Sequence, residues 1–222
     1  ANTIADSLNH AFNIPSSYSG AVITLLAGAI VLGGLKRIAR FAELIVPFMG
    51  IAFVLVAVAI TFMNVSAVPA MLYDIITSAF GLQEAGAGML GAAIKNGIQR
   101  GLYSNEAGAG SAAIAHSAVD TKYPASEVLV ALLEPLIDTV IICSMTALVI
   151  IIFNMDGAFV YGEVANNQVT LTATGETLGG VNLTSAAFDA SLPGFSYLLV
   201  IAVTLFAFST ILSWSYYGLQ SW

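Results

Sequence analysis

Apolar residues recur along this chain in runs long enough to cross the hydrocarbon core of a bilayer, which takes about 20 residues of helix. Four such runs predict membrane spans at about 20–40, 44–63, 127–153 and 195–217. The second contains Pro47 near its start, where a membrane helix tolerates proline. The pattern therefore predicts an all-α polytopic membrane protein, with residues 1–222 in a single transmembrane domain.

Composition supports this interpretation. Of 222 residues, 58% are hydrophobic and only 9% are charged, whereas a soluble domain has about 25% charged residues. Such a chain cannot cover its surface with polar groups, so much of it must face lipid. The net charge of −7, from six Lys plus Arg and thirteen Asp plus Glu, argues against nucleic acid as a partner. The lone cysteine, Cys143, predicts neither a disulfide nor a metal cluster, and we expect a small packing residue.

The few basic residues predict an orientation. The loop GLKRIARFAE carries three of them and is expected to be cytoplasmic, and Lys122 in a later short loop is expected on the same side. An additional span, about 86–118, is then required between them. The loop 154–194 falls on the extracellular side and contains no Lys or Arg. Its alternation of polar and β-branched residues predicts a small hairpin.

The span at 86–118 is unusual because Lys95, Arg100 and Glu106 interrupt it and its Gly content is high. Its stretch SNEAGAGS disfavours a continuous helix, so we expect the helix to unwind near 104–110 and then restart. A broken helix at membrane depth frees carbonyls for a cation and N–H groups for a carboxylate. The alternative is a glycine-lined packing site with a buried salt bridge between Arg100 and Glu106.

Three ionisable residues stand in apolar surroundings. Glu134 and Asp138 are four apart, on one helix face, and would repel each other unless paired or protonated. Lys95 and Arg100 are candidate partners, and a direct role in ion or proton coupling is the alternative. His116 precedes the predicted cytoplasmic loop by about one turn. It is expected to be a packing or interfacial residue rather than a proton relay.

The last span is rich in hydroxyl groups. The stretch FAFSTILSWSYYG places four of them beside Trp214, at Ser209, Thr210, Ser213 and Ser215. Each hydroxyl could simply bond to the carbonyl one turn back along its own helix. Alternatively they line a cavity, in which hydroxyl oxygens supply ligands for a cation and the indole closes a small apolar pocket. The sequence leaves both interpretations open.

Several of these stretches resemble the alanine or glycine:cation symporters, the sodium:alanine symporter family. The resemblance rests on NGIQRGLYSNEAGAGSAAIAHSA, IDTVIICSMTALVII, LFAFSTILSWSYYG and LGGLKRIARFAELIVPFMG, which occur in the family's order over nearly the whole chain. It implies a secondary transporter of the bacterial inner (plasma) membrane. The implied fold is a partial LeuT-like (APC superfamily) inverted-repeat bundle with one broken helix. The chain would be an internal or C-terminal-half fragment without the family's first broken helix.

The resemblance also implies site residues. Substrate contacts map onto the unwound segment and onto the last span, at Ser104, Asn105, Glu106, Ala107, Gly108, Thr210 and Trp214. Proteins of the LeuT-like fold often bind Na⁺ through paired hydroxyls, a role that fits Ser209 and Thr210. The chain departs from the family at three positions. The family usually has Pro at 113, often Gly at 213 and commonly Glu at 219, where this chain has Ala, Ser and Leu.

These observations predict a transporter, not an enzyme, that couples Na⁺ to a small neutral amino acid, alanine or glycine, by alternating access. No cofactor is expected besides Na⁺ as the coupling ion. The expected partners are the amino acid, sodium and the lipid bilayer, and we expect a monomer, although the sequence does not fix the oligomeric state. The alternatives are proton coupling through Glu106, Glu134 or Asp138, and a membrane channel or scaffold.

Overall fold

The computed structural model of the chain describes residues 2–79, 97–99, 101, 110–161 and 168–222. Contacts divide the chain into two compact units, Ala1–Ile60 with Val149–Trp222, and Thr61–Leu148. The predicted substrate residues from Ser104 to Gly108 lie outside the described residues, as do Lys95 and Arg100.

The first unit is built mainly from helices α1, α2, α3, α8 and α9, with bounds Asn2–Phe12, Ser16–Val31, Leu35–Met63, Val181–Ser191 and Phe195–Ser221. Helix α1 packs against α2 and α9, and α8 packs against α9. Four buried side chains from α1, α3 and α9 form a core cluster, Ile4, Ile38, Phe208 and Leu212. The Phe41 ring meets Phe208 edge-on, with ring centroids 5.5 Å apart. Burial of these apolar side chains holds α9 in place.

A tight turn separates α2 from α3. Helix α2 ends at Val31, and Gly34 adopts a φ of +72°, a left-handed conformation that favours glycine. The Arg37 guanidinium folds back and donates to the Ala29 carbonyl at 2.9 Å, which satisfies an acceptor in the last turn of α2. This turn lies within the predicted span at 20–40 and at the start of the predicted loop GLKRIARFAE, and the rest of that loop is helical in the structure.

A small antiparallel sheet follows in the first unit. Its strands are β1 (Phe159–Tyr161), β2 (Gln168–Leu171) and β3 (Thr177–Gly179), in the order β1-β2-β3. Three apolar side chains are buried, one from each strand: Phe159, Val169 and Leu178. The sequence predicted an all-α protein with a small hairpin in this loop. The structure has three strands, so the chain is mostly helical rather than all-α.

The described helices of the second unit include α4 (Val68–Ala79), α5 (Ala112–Ser117) and α6 (Pro124–Pro135). Helix α6 continues through a π-helical segment, Leu136–Cys143, into α7, Ser144–Asn154. Pro135 stands at the change from α to π geometry. Proline has no N–H to donate and its ring collides with the preceding turn, so a local change of helical geometry is expected there.

Among the described residues, three helices are long and apolar enough to cross a membrane. They are Leu35–Met63, Pro124–Asn154 and Phe195–Ser221, with mean hydropathies of 2.7, 2.6 and 2.2 over their most apolar windows. Large apolar side chains on these helices are exposed, among them Leu44, Phe62 and Leu129. Contiguous apolar surface of this kind is stable in lipid and not in water. The described residues therefore have the character of a helical membrane protein.

Candidate functional site

Helix α9 carries the predicted ion-binding hydroxyls, and its start is fixed by a cap. Gly194 has a φ of +85° immediately before the helix. The Asp189 carboxylate accepts hydrogen bonds from the backbone N–H groups of Gly194 at 2.9 Å and Ser196 at 3.4 Å. A carboxylate at this position satisfies N–H groups that lack helical partners and interacts favourably with the positive end of the helix dipole.

The hydroxyls near the end of α9 all bond within their own helix. Ser209 and Thr210 both donate to the carbonyl of Phe206, at 2.8 and 3.0 Å. Ser213 donates to the Ser209 carbonyl at 3.1 Å, and Ser215 to that of Leu212 at 2.6 Å. A hydroxyl has one proton and two lone pairs. Each of these oxygens therefore remains an acceptor after its proton is used.

The two faces of α9 differ. Phe208 and Leu212 are buried in the core cluster of the first unit, whereas Thr210 is exposed and Trp214 is 51% exposed. The Trp214 indole packs edge-on against Tyr217 of the same helix, with ring centroids 5.8 Å apart. The structure thus places Ser209 and Thr210 side by side on one carbonyl, with Trp214 one turn further along the helix.

Two of the cavities formed by described residues of the first unit are not lined by Ser209, Thr210 or Trp214. The larger, about 430 Å³, lies among α1, α2, α3 and α9 and has an almost wholly apolar lining. Thr204 lines it, and its Oγ1 is buried without a hydrogen-bond partner among the described residues, as is the Ser7 Oγ. A lining of this kind does not suit a zwitterion, which needs polar partners for both charges.

A second polar cluster lies in the second unit, where a short connection, residues 118–123, joins α5 to α6. In this connection Thr121 Oγ1 accepts from the Tyr123 N–H at 3.3 Å and lies 3.1 Å from Ser126 Oγ. Ser126 also donates to the Tyr123 carbonyl at 2.7 Å. Pro124 occupies the first turn of α6, where its missing N–H costs nothing. These local bonds set the turn that brings α5 against α6.

The turn brings His116 of α5 between two carboxylates of α6. Its Nδ1 lies 2.6 Å from Glu127 Oε1, and its Nε2 lies 3.6 Å from Glu134 Oε2. Seven residues separate the two glutamates, two helical turns, so both lie on one face of α6. The His116 and Glu127 side chains are only 25% and 18% exposed, and Glu134 is 41% exposed. A separation of 2.6 Å is short for a nitrogen–oxygen contact, in the direction expected of a charge-assisted hydrogen bond.

The two carboxylates change the titration of His116, which lies outside the three helices long enough to cross a membrane. The hydrogen bond with Glu127 is the largest effect and raises the pKa of His116 above its ordinary value of 6.5. Partial burial acts in the opposite direction, and Glu134 raises this pKa further. The net effect favours the imidazolium form.

The structure adds detail to one expectation about these residues. The sequence predicted a packing or interfacial role for His116, and in the structure its ring lies between two glutamates of α6. Lys95 and Arg100, the expected partners of Glu134 and Asp138, lie outside the described residues. The α-helical spacing assumed for Glu134 and Asp138 is interrupted by the π segment, in which Asp138 lies. The cluster could have been anticipated from a titratable residue on each side of a short, capped turn.

Comparison with known proteins adds the family. The whole chain, residues 1–222, matches the model of the sodium:alanine symporter family. It is 38% identical over 97% of its length to the putative sodium/proton-dependent alanine carrier protein YrbD of Bacillus subtilis, covering 44% of that protein. It is 35% identical over 98% of its length to the sodium/alanine symporter AgcS of Methanococcus maripaludis, covering 45% of it. It is 33% identical over 98% of its length to the probable sodium/glutamine symporter GlnT of Bacillus subtilis, covering 42%.

The described residues include three helices that could cross a membrane, and the relatives are named as carriers or symporters. The chain belongs to the sodium:alanine symporter family, which confirms the resemblance seen in its sequence motifs. It spans less than half the length of the relatives it matches, 44% and 45% for the two alanine carriers.

Proposed function

We propose that the protein is a Na⁺-coupled symporter of small neutral amino acids, alanine or glycine, working by alternating access in the bacterial inner membrane. In the family name, sodium and alanine appear together, as they do in the name of the archaeal relative. The driving force would be the Na⁺ gradient plus the membrane potential, about 2.3 kcal/mol per charge per 100 mV. The LeuT-like inverted-repeat fold belongs to the same proposal.

The observation that carries the proposal is the pair of hydroxyls on the Phe206 carbonyl. Because Ser209 and Thr210 both donate inward to this carbonyl, their oxygens stay available as neutral acceptors on neighbouring positions of α9. A hard cation such as Na⁺ is bound in transporters by oxygens of this kind and by carbonyls of broken helices. We propose that Ser209 and Thr210 supply two of the Na⁺ ligands.

The substrate residues of this proposal are those of the broken helix and of α9. Asn105, with neighbouring groups from Ser104 to Gly108, would hold the amino acid, because freed N–H groups and an amide suit a carboxylate. Thr210 would border the same site, and the Trp214 indole would limit the length of the substrate side chain. One relative is named for glutamine, so side-chain size is a property that varies among proteins of this kind.

The test of Na⁺ coupling is uptake of labelled alanine by proteoliposomes that contain the full-length protein. We expect uptake to require an inward Na⁺ gradient. Thr210→Val, which removes one oxygen, should raise the half-maximal Na⁺ concentration about tenfold or more, as expected for a loss of about 1.4 kcal/mol. Thr24→Val is the matched control, since Thr24 is also an exposed helical threonine bonded to its own helix. Equal uptake without Na⁺ would contradict the proposal, and uptake that follows only a pH gradient would favour proton coupling.

The size filter is tested in the same vesicles. Trp214→Ala should admit larger neutral amino acids as competitors of alanine, because the indole no longer fills that space. Phe62→Ala is the control, since Phe62 is an exposed aromatic side chain on α3. A Trp214→Ala protein that still rejects larger amino acids would remove this residue from the filter.

A further inference from the structure

We infer that His116, Glu127 and Glu134 form a proton-binding site, and that the bound proton fastens α5 to α6. Its residues are different from the hydroxyls of α9 and from the broken-helix residues proposed above. It is built from side chains of two helices and a short connection, all within the second unit.

The positions of the two ring nitrogens of His116 indicate a proton-binding site rather than simple packing of the ring. Both ring nitrogens of His116 face a carboxylate oxygen, at 2.6 Å for Glu127 and 3.6 Å for Glu134. A neutral imidazole has only one N–H, so one of these two contacts would then bring a lone pair toward a carboxylate oxygen. The imidazolium donates to Glu127 and directs its second N–H toward Glu134, which at 3.6 Å makes an ionic contact. The charged ring therefore suits both contacts, whereas the neutral ring suits only one.

The surroundings strengthen this preference. Glu134 lies two turns beyond Glu127 on the same face of α6, and the residues between them are apolar. Two carboxylates that contact one ring repel each other unless a positive charge lies between them. With a neutral imidazole the cluster has a charge of −2, and the bound proton reduces this to −1. Proton binding therefore lowers the cost of placing the two glutamates on this face.

The other ionisable groups near the cluster, among the described residues, lie in the connection and beyond Glu134. Helix α5 has no further titratable side chain, and α6 presents Glu127 and Glu134 to it. The connection 118–123 carries Asp120, Lys122 and Tyr123, and Asp138 lies in the π segment beyond Glu134. The pKa of His116 is raised, with the Glu127 hydrogen bond as the largest cause, in agreement with a proton held between the two glutamates.

Proton binding at His116 affects how firmly α5 is held. Helix α5 has only six residues and starts after Gly110, whose φ is +77°. A helix of that length is not stable by itself, so its position depends on contacts such as the one to α6. Loss of the proton removes one N–H of His116 and weakens the contact between α5 and α6. We therefore expect α5 to be held less firmly as His116 loses its proton.

The direct test is a histidine titration by NMR on the full-length protein in detergent, labelled at histidine, with the His116 signal assigned by its absence in His116→Gln. Glu127→Gln should lower the titration midpoint of His116, and Glu134→Gln should lower it by less, because that contact is longer. Glu176→Gln is the control: it alters the carboxylate beside the other histidine, His10, and should leave the His116 midpoint unchanged. A His116 midpoint that is the same in Glu127→Gln as in the parent would overturn the inference.

A second measurement reports on the contact between α5 and α6. Hydrogen exchange at the backbone of residues 112–117 should speed up as the pH rises through the His116 titration, beyond the intrinsic pH effect on exchange. His116→Gln should exchange fast throughout, and His10→Gln should behave like the parent. Unchanged protection in His116→Gln would contradict a fastening role. Neither readout requires transport, so the inference and the proposed symport can fail independently.

Discussion

The hydroxyls of α9 and the ionisable cluster of α5 and α6 satisfy their hydrogen bonds in different ways. Ser209 and Thr210 donate to a carbonyl of their own helix, one turn back or less. His116 finds its partners on another helix, across a six-residue connection. The first arrangement needs only a helix, and the second needs a helix pair at the correct distance.

This difference has consequences for stability and for chemistry. A hydroxyl bonded to its own helix is tolerated in an apolar environment and does not change with pH, while its oxygen stays available to a cation. A histidine between two carboxylates depends on tertiary contacts and on its protonation state. The two clusters are therefore expected to respond to different variables, the Na⁺ concentration for α9 and the pH for α5 and α6.

The largest expected effect on stability comes from His116→Leu. At pH values well below 6.5 this change should lower the free energy of unfolding by about 1.5–3 kcal/mol, the range for hydrogen bonds to charged groups. Because the folded-state pKa is raised, this stabilisation is fully present below the unfolded pKa and is lost as the pH rises through the folded pKa. Thermal unfolding of the full-length protein in detergent across this pH range measures it.

The other histidine provides the control for this prediction. His10 lies 3.6 Å from Glu176 with both side chains about half exposed, so His10→Leu should change stability by about 1 kcal/mol or less. A loss in His116→Leu that is equally large well above the titration range would show that the ring stabilises by packing alone. The stability contributed by His116 would then not depend on pH, and the two clusters would not differ in this respect.

An intermediate effect is expected at the start of α9. Asp189→Ala removes the acceptor for two backbone N–H groups and should cost about 1 kcal/mol, as other lost helix caps do. Asp189→Asn keeps an acceptor oxygen and should lose less. Hydrogen exchange at Gly194 and Ser196, together with the unfolding temperature, provides the measurement. Unaltered protection of both amides in Asp189→Ala would show that the cap is not needed to position α9.

The smallest effect distinguishes satisfied from unsatisfied hydroxyls. The Thr204 Oγ1 is buried without a partner in the part of the chain that the structure describes, so Thr204→Val should stabilise the protein by roughly 0.5–1 kcal/mol. Thr24→Val, at an exposed threonine already bonded to its helix, should be close to neutral. Unfolding temperatures of the two variants give the comparison. A destabilised Thr204→Val protein would indicate that its hydroxyl has a partner in the complete molecule.

The membrane character, the family and the concentration of hydroxyls on the last helix could all be predicted from the sequence. Apolar runs of about 20 residues and a scarcity of charges depend only on local composition. The family follows from motifs such as SNEAGAGS, which the match to the sodium:alanine symporter model supports. The own-helix hydrogen bonds of Ser209 and Thr210 were one of two stated possibilities, because helix geometry alone permits them.

Other features were decided only by tertiary structure. The sequence predicted a loop at GLKRIARFAE, whereas in the structure only a short turn at Gly34 separates α2 from α3, which begins at Leu35. The pairing of His116 with Glu127 and Glu134 depends on how a short connection places one helix against another. Periodicity describes which residues share a face of one helix, whereas the partners across two helices are set by the turn between them.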